Sequence, residues 1–118
     1  MDIRGKAKLL RIFIGESDKV NHVSLSDAII AAARKQGMAG ATAWRGTASF
    51  GPSSHIRSSH VLDLSADLPV IIELVDTEEK IRSFQDQLTS LFDEAHCGGL
   101  VTIEETEVIR YSHGTHAQ

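Results

Sequence analysis

Two short apolar runs, each followed by a helical pattern, constrain the fold of this chain more than any other feature. Residues 8–14 read KLLRIFI and residues 70–75 read VIIELV. Runs of this length and composition predict buried strands at the centre of a sheet. Pro69 has no N–H group to donate, which suits the first residue of the second strand. The fold is therefore organised around two central strands, and the segment after each one determines how they are connected.

A helix is predicted after the first strand. Ser24 is a suitable N-cap, and Asp27 stands at the position of a capping-box acid. Lys35 and Gly37 predict the end of the helix, because a cation and a left-handed glycine commonly terminate helices. The apolar residues of one face recur at helical spacing: Leu25, Ala28, Ile29, Ala32 and Ala33.

A second helix is predicted after residues 70–75. Asp76 together with Glu79 forms a capping signature. The segment HCGG at 96–99 predicts the end of this helix. Its apolar stripe consists of Ile81, Phe84, Leu88, Leu91 and Phe92.

The remaining segments complete the predicted order of elements. Residues 41–45 predict a short buried strand, residues 60–64 alternate as a strand does, and Leu100 to Tyr111 predict a long last strand. The order strand, helix, strand, loop, strand, helix, strand predicts an α+β, ferredoxin-like double βαβ sandwich. In that fold an antiparallel sheet carries two helices on one face. The uncovered face and the long last strand both indicate oligomerisation.

Composition bounds the class of protein. At 118 residues, with 42% hydrophobic and 24% charged residues, the chain predicts a single soluble domain over 1–118. Its core covers about 6–111, and residues 112–118 are predicted to be disordered. Cys97 is the only cysteine, so no intrachain disulfide forms. The apolar runs are too short to span a bilayer, and the first residues lack a signal-peptide pattern. We therefore expect a cytoplasmic protein without direct membrane insertion.

The net charge of −4 is unevenly distributed along the sequence. Residues 1–60 hold nine Lys/Arg and four Asp/Glu (+5), whereas residues 61–118 hold three and twelve (−9). No basic patch is interleaved with aromatics, which argues against a nucleic-acid partner. A small anion needs only two or three cations and some backbone N–H groups. The alternative is that these charges are simply solvated faces.

The loop at residues 47–59, TASFGPSSHIRSS, is the clearest candidate for ligand binding. Gly46 and Gly51 allow the backbone to approach a ligand closely and to direct N–H groups toward an anion. Arg45 and Arg57 each offer a forked guanidinium for a phosphate. The alternative is a flexible hairpin loop with solvated arginines. The chain has no Walker A pattern and no G-x-G-x-x-G after a strand.

Other candidate residues carry weaker signals. His55 lies in the loop and His60 follows it, and together they are alternative metal ligands, but surface or loop histidines without a metal are the simpler interpretation. Cys97 fits a semi-buried thiol better than a nucleophile. Trp44 is the only tryptophan and predicts core or interface packing, or stacking on a base. No Ser/His/Asp arrangement is recognisable, so we expect no enzymatic activity, with a weak nucleotide hydrolase as the alternative.

Four segments together resemble a known family: KLLRIFIGESDK, GMAGATAWRGTASFG, LSADLPVIIELVDTEEKI and GGLVTIEETEVIRY. They occur in the order and at the spacing of the small PII-like proteins, the domain-of-unknown-function group of the PII-like superfamily. The resemblance covers nearly all of residues 6–111. It implies a ferredoxin-like fold, a homotrimer, and an effector loop after Gly46.

The resemblance also implies a function and a set of site residues. Proteins of this superfamily bind adenine nucleotides or related small molecules, in some cases with Mg²⁺, in clefts between subunits. Their loop then regulates a partner, commonly a membrane transporter or a metabolic enzyme. The implied ligand-binding residues here are Arg45, Gly46, Gly51, Arg57, Gly98, Gly99 and Arg110. An alternative is a trimeric divalent-metal-binding protein of the cation-tolerance type, with His55 and His60 as ligands.

The chain departs from the PII pattern in three respects. The loop is shorter than in true PII proteins and has no tyrosine for modification. Leu100 follows the Gly98-Gly99 segment where a lysine is usual. The last strand offers Arg110 alone rather than a pair of arginines.

Overall fold

The computed structural model describes residues 3–50, 56–58, 68–112 and 114. Two helices and eight strands occur in this part of the chain, and the four longest strands form the main sheet. In chain order the elements are β1 (Gly5–Gly15), β2 (Lys19–Val20), β3 (Val23–Ser24), α1 (Leu25–Lys35), β4 (Thr42–Arg45), β5 (Ala48–Phe50), β6 (Ile56–Ser58), β7 (Pro69–Asp76), α2 (Glu78–Ala95) and β8 (Leu100–Val108).

The main sheet has the spatial order β4-β7-β1-β8, and every neighbouring pair is antiparallel. Helix α1 connects β1 to β4 and helix α2 connects β7 to β8, so two strand–helix–strand crossovers build the sheet. This is the predicted ferredoxin-like α+β fold. The two apolar runs form β1 and β7, the two central strands, and β7 begins at Pro69 as predicted.

The core lies between the helices and one face of the sheet. Alternate residues of β1 and β7 point to this face, because side chains alternate across a strand. Helix α1 contributes Leu25, Ile29 and Ala33, which are all buried. The other buried core side chains come from β1, β2, β7 and α2: Leu10, Ile12, Ile14, Val20, Val70, Ile72, Leu74, Ile81, Phe84 and Leu88.

The opposite face of the sheet, which we call the open face, has no element packed on it among the described residues. Leu100 of β8 pairs with Phe13 of β1 on this face, and Leu100 is 51% exposed. Trp44, from the β4 edge, is 46% exposed, so core packing of this tryptophan was a wrong expectation. The charged pair Arg11–Glu73 lies half-buried at the centre of the face, with Nε and Oε2 2.5 Å apart.

Two predicted strands differ from the structure in burial or in length. Residues 41–45 were expected to form a buried strand, but β4 begins at Thr42 and all four of its residues are exposed. It is an edge strand with β7 as its neighbour in the sheet. The last strand ends at Val108 rather than at Tyr111, because its pairing with β1 stops where Val108 meets Gly5.

The helix ends follow the predicted capping chemistry in part. Ser24 caps α1 as predicted, and its Oγ accepts the N–H of Asp27 at 3.3 Å. The cap of α2 is Thr77 rather than Asp76, because the Oγ1 of Thr77 accepts the N–H of Lys80. Asp76 instead turns inward and is buried.

The structure adds two hairpins. Strands β2 and β3 pair through a two-residue turn in which Asn21 and His22 both have positive φ. Paired positive φ angles are typical of the type I′ turns that close hairpins. The usual sequence signal for such a turn is Asn-Gly, which this segment lacks, so the hairpin was not predicted. Strands β5 and β6 pair within the predicted loop 47–59, which is therefore a ribbon in part. The predicted strand at 60–64 lies outside the described residues, as do residue 113 and residues 115–118 of the predicted tail.

Candidate functional site

A groove of about 430 Å³ lies on the open face, at the end of the sheet farthest from the loop. Its floor is apolar, formed by Val75 of β7 and Val108 of β8, with Ile3 beside them. Thr42 and Thr106 add hydroxyl groups. A groove with an apolar floor and a few polar groups is the usual form of a small-molecule site.

One wall of the groove is the turn at residues 39–41, which precedes β4. Asp76, only 1% exposed, accepts one hydrogen bond from this wall and a second from the start of helix α2. Its Oδ2 accepts the N–H of Ala39 at 2.8 Å, and its Oδ1 accepts the N–H of Thr77 at 2.7 Å. A single buried carboxylate thus joins the groove wall to the start of helix α2.

The residues after β8 form the other side of the groove. The hydroxyl of Tyr111 donates to the carbonyl oxygen of Ala39 at 2.7 Å, although the two residues are 72 positions apart. Arg110, the preceding residue, also lines the groove and is exposed. Within the described part of the chain its guanidinium makes no ion pair. The carboxylate of Glu107 also lines the groove and is exposed. The groove therefore combines apolar surface with one cation and one exposed acid, so an anionic group of a ligand would have to bind at Arg110.

Arg45 lies at the opposite end of the sheet, where β4 leads into the loop. Its Nη1 is 2.7 Å from Oε2 of Glu16, and both side chains are largely exposed. A second depression, of about 350 Å³, lies beside this pair and is lined also by Ser24, Ser26 and Trp44. An exposed ion pair contributes little stability, so Arg45 can exchange Glu16 for another anion at small cost.

Packing explains two of the glycines that the sequence offered as ligand contacts. The N–H of Gly46 donates to the carbonyl of Pro69 at 2.8 Å, and a Cβ on Gly46 would lie 2.9 Å from Cγ of Pro69. A Cβ on Gly99 would lie 2.7 Å from Cε1 of Phe92. Both positions exclude a larger side chain, and the Gly46 N–H is already used within the protomer.

The structure does not bring the predicted site residues together within one chain. Arg45 pairs with Val70 at the loop end of the sheet, whereas Arg110 follows Val108 at the far end. On β1 these levels correspond to Ile14 and Gly5, which are nine positions or about 30 Å apart along the strand. Gly98 and Gly99 precede β8 at the loop end but on the other edge, about 14 Å from β4 across the sheet.

Several predicted site residues lie where little is described. Gly51, His55 and His60 lie outside the described residues, and Arg57 lies in β6 opposite Ser49. Within the described ranges no three His, Cys, Asp or Glu side chains cluster as a metal site would require. No helix in the described part is long and apolar enough to cross a membrane. Cys97 is half-buried, as expected of a structural thiol.

Most residues that form or support the groove were absent from the sequence-based candidates, which included Arg110. Thr42, Asp76 and Tyr111 contribute to the groove or hold its wall. Asp76 was recognised only as a capping residue, and Tyr111 only as the end of a strand. Their roles depend on Ala39, a distant small residue whose backbone has no sequence signal.

Removal of the Asp76 carboxylate should destabilise the protein. We expect Asp76→Ala to lower the free energy of unfolding by about 2–3 kcal/mol, because two N–H groups lose their acceptor. Urea unfolding followed by far-UV circular dichroism measures this change. The control is Asp86→Ala, an exposed acid on α2, which should change stability by less than about 0.5 kcal/mol. Equal effects in the two variants would contradict the role assigned to Asp76.

Comparison with known proteins places this geometry in context. The family model DUF190, described as "Uncharacterized ACR, COG1993", matches residues 7–108. A UPF0166 protein of Aquifex aeolicus is 35% identical over 104 residues, covering 88% of this chain and 94% of the relative. The UPF0166 protein MJ1524 of Methanocaldococcus jannaschii is 32% identical over 105 residues, covering 89% and 94% respectively.

Two solved structures resemble the fold at low sequence identity. One is CPII, a nitrogen regulatory PII-like protein from Thiomonas intermedia, bound to ADP, AMP and bicarbonate. It matches with a TM-score of 0.66 and 16% identity over 87% of this chain and 88% of that one. The other is a PII-like signaling protein from Thermus thermophilus, with a TM-score of 0.63, 16% identity, and coverage of 92% and 94%.

Proposed function

Because the chain belongs to the DUF190 (UPF0166) family and has the fold of PII-like proteins, we propose that it is a regulatory protein that binds an adenine nucleotide. The nucleotide would bind in clefts between three copies of the chain. Ligand binding would change the order of the 47–59 loop, and the loop would then control a partner protein.

The groove with Arg110 is the observation that carries this proposal. Its apolar floor, formed by Val75 and Val108, offers a surface for a nucleobase, and Arg110 offers a forked donor for a phosphate. Thr42 and Thr106 can donate to or accept from a base or a ribose. CPII, a protein of the same fold, has been solved with ADP and AMP, which supports an adenine nucleotide as the ligand class.

Assembly would allow two arginines that lie far apart in one chain to serve the same ligand. About 30 Å separates Arg45 from Arg110 along the sheet, so one nucleotide cannot contact both within a protomer. A neighbouring copy can bring its loop end, with Arg45 and Gly98-Gly99, to the groove. The open face, with Phe13, Trp44 and Leu100, provides the apolar surface on which copies would associate.

The loop would transmit the ligand-bound state to the partner. Arg45 stands at the base of the loop, and β5 and β6 extend from it as a ribbon. If an anion replaced Glu16 as the partner of Arg45, the ion pair at the base of the ribbon would be lost, and the position of the ribbon would change. Gly51 and Arg57 remain predicted ligand contacts on the loop. The partner would be a membrane transporter or a metabolic enzyme, and the protein would act in the cytoplasm.

We propose that the protein binds its ligand without catalysing a reaction. Of the groove residues that could act as a general base, Glu73 is engaged by Arg11 and the hydroxyl of Tyr111 is hydrogen-bonded to Ala39, whereas Glu107 is exposed to water. Mg²⁺ would act only as a counter-ion of the nucleotide. The groove favours regulation by binding over chemistry on the ligand.

Titration of ADP with Mg²⁺ into the intact protein tests the proposed function. We expect Arg110→Ala to weaken ADP binding by about 10–100-fold, as the loss of a charge-assisted hydrogen bond predicts. Arg82→Ala on helix α2 is the matched control, because Arg82 is an exposed arginine that pairs with Glu78 away from the groove. Isothermal titration calorimetry measures both affinities. Equal ADP affinity in wild type and Arg110→Ala would remove the groove from the nucleotide site.

A further inference from the structure

We propose that Tyr111 is a positioning residue, whose hydroxyl fixes the segment after β8 to the groove wall and thereby directs Arg110 at the ligand. This inference rests on the proposed function of the groove, because it assigns to Tyr111 the orientation of the residue that would bind phosphate. Tyr111 itself would act through Arg110 rather than on the phosphate.

The sheet does not hold the segment that carries Arg110. Pairing between β8 and β1 ends where Val108 meets Gly5, so residues 109–111 lie beyond the last ladder hydrogen bonds. Ile109 is 83% exposed and does not pack on the core that the described residues form. A segment in this state has little to fix its direction except contacts made farther along the chain.

Tyr111 makes such a contact. Its hydroxyl donates to the carbonyl oxygen of Ala39 at 2.7 Å, and its ring lines the groove. Ala39 precedes β4, whereas Tyr111 follows β8, and these two strands are the opposite edges of the sheet. The hydrogen bond therefore joins two parts of the chain across the sheet end, beside the groove.

The acceptor of this hydrogen bond is itself held in place. The N–H of Ala39 donates to Asp76, which is buried and also accepts the N–H of Thr77 at the start of α2. Both backbone polar groups of Ala39 are thus engaged by side chains. A continuous set of contacts runs from helix α2 through Asp76 and Ala39 to Tyr111, and Arg110 is the residue immediately before Tyr111.

The hydrogen bond of Tyr111 would order the backbone at Arg110 before the ligand binds. An arginine binds phosphate with fixed fork geometry, and its contribution falls when the backbone that carries it must be ordered on binding. Loss of the Tyr111 hydroxyl should therefore weaken a ligand with phosphates and spare one without them. Tyr111→Phe removes only the hydroxyl and keeps the ring in the groove wall.

A double-mutant cycle on the 118-residue chain tests the inference. The variants are Tyr111→Phe, Arg110→Ala and their combination, with ADP and adenosine as ligands in calorimetric titrations. We expect Tyr111→Phe to weaken ADP binding by about three- to tenfold and adenosine binding by less than about twofold. In the Arg110→Ala background the same change should have almost no effect on ADP.

A control variant and two outcomes distinguish positioning by Tyr111 from other effects. Ser112→Ala removes a hydroxyl from the next residue, which is exposed and does not line the groove, and should leave both affinities unchanged. Equal weakening of ADP by Tyr111→Phe with and without Arg110 would overturn the inference, because Tyr111 would then act independently of Arg110. Unchanged ADP affinity in Tyr111→Phe would also overturn it.

A ligand-free measurement separates failure of this inference from failure of the proposed function. If the wild type binds neither ADP nor adenosine, the proposed function fails, while the anchoring by Tyr111 is still measurable by ¹⁵N relaxation. We expect the backbone order parameters of residues 109–112 to fall from near 0.8 to below about 0.6 in Tyr111→Phe. Order parameters that match the wild type would overturn the anchoring itself.

Discussion

Leu100→Glu is expected to convert the proposed trimer into folded monomers. Leu100 lies on the open face beside Phe13 and is 51% exposed in the protomer, so a glutamate there remains in water in a single chain. An assembly that covers this face would bury the carboxylate without a partner, at a cost of several kcal/mol. Sedimentation velocity measures the mass, and far-UV circular dichroism verifies the fold.

The matched control is Val23→Glu. Val23 is 49% exposed, nearly the same as Leu100, but it lies on the β2–β3 hairpin rather than on the open face. We expect Val23→Glu to keep the mass of the wild type. Trp44 shares the open face and provides a second signal, because its emission should shift to the red only in Leu100→Glu. A trimer that survives Leu100→Glu would mean that the open face is not the surface of association.

Local chemistry explains why most of the fold was predictable. The dense apolar runs predicted β1 and β7, because nearly continuous apolar sequence is typical of strands at the centre of a sheet. Ser24 capped α1 as predicted because N-capping needs only a hydroxyl and the next turn of the same chain. These features depend on contacts between residues near in sequence or on simple periodicity.

The incorrect details depend on distant parts of the chain. Residues 42–45 read TAWR, and no local pattern distinguishes an exposed edge strand from a buried one. Tyr111 has a high strand propensity, but β1 offers no residue to pair with it beyond Gly5. Asp76 carries a capping signature, yet its carboxylate is buried because Ala39 and Thr77 both need an acceptor. Tertiary contacts decide each of these cases.

The candidate site shows the same division. Arg45 and Arg110 could be selected from residue type and from resemblance, but their separation of about 30 Å follows only from the register of the sheet. Because of that separation, the two arginines of one chain cannot contact the same nucleotide. If both arginines serve one nucleotide, they must come from different copies of the chain.

Mixed assemblies should therefore recover binding that each single variant lacks. We expect Arg45→Ala and Arg110→Ala each to bind ADP weakly, because every cleft then misses one of its two cations. When the two variants are co-expressed and assemble at random, about a quarter of the clefts combine an intact Arg45 from one copy with an intact Arg110 from the next. Calorimetric stoichiometry should show this fraction at wild-type affinity.

The control replaces one member of the mixture. Arg45→Ala co-expressed with the double variant Arg45→Ala/Arg110→Ala contains no copy with an intact Arg45, so it should recover no binding. Recovery in that mixture would remove Arg45 from the cleft. If the first mixture instead recovers no ADP binding although both single variants form trimers and bind ADP weakly, the two arginines do not act in one cleft. If only the first mixture recovers ADP binding, the two arginines must share a cleft between copies. Within one chain they lie about 30 Å apart along the sheet, too far to contact one ligand.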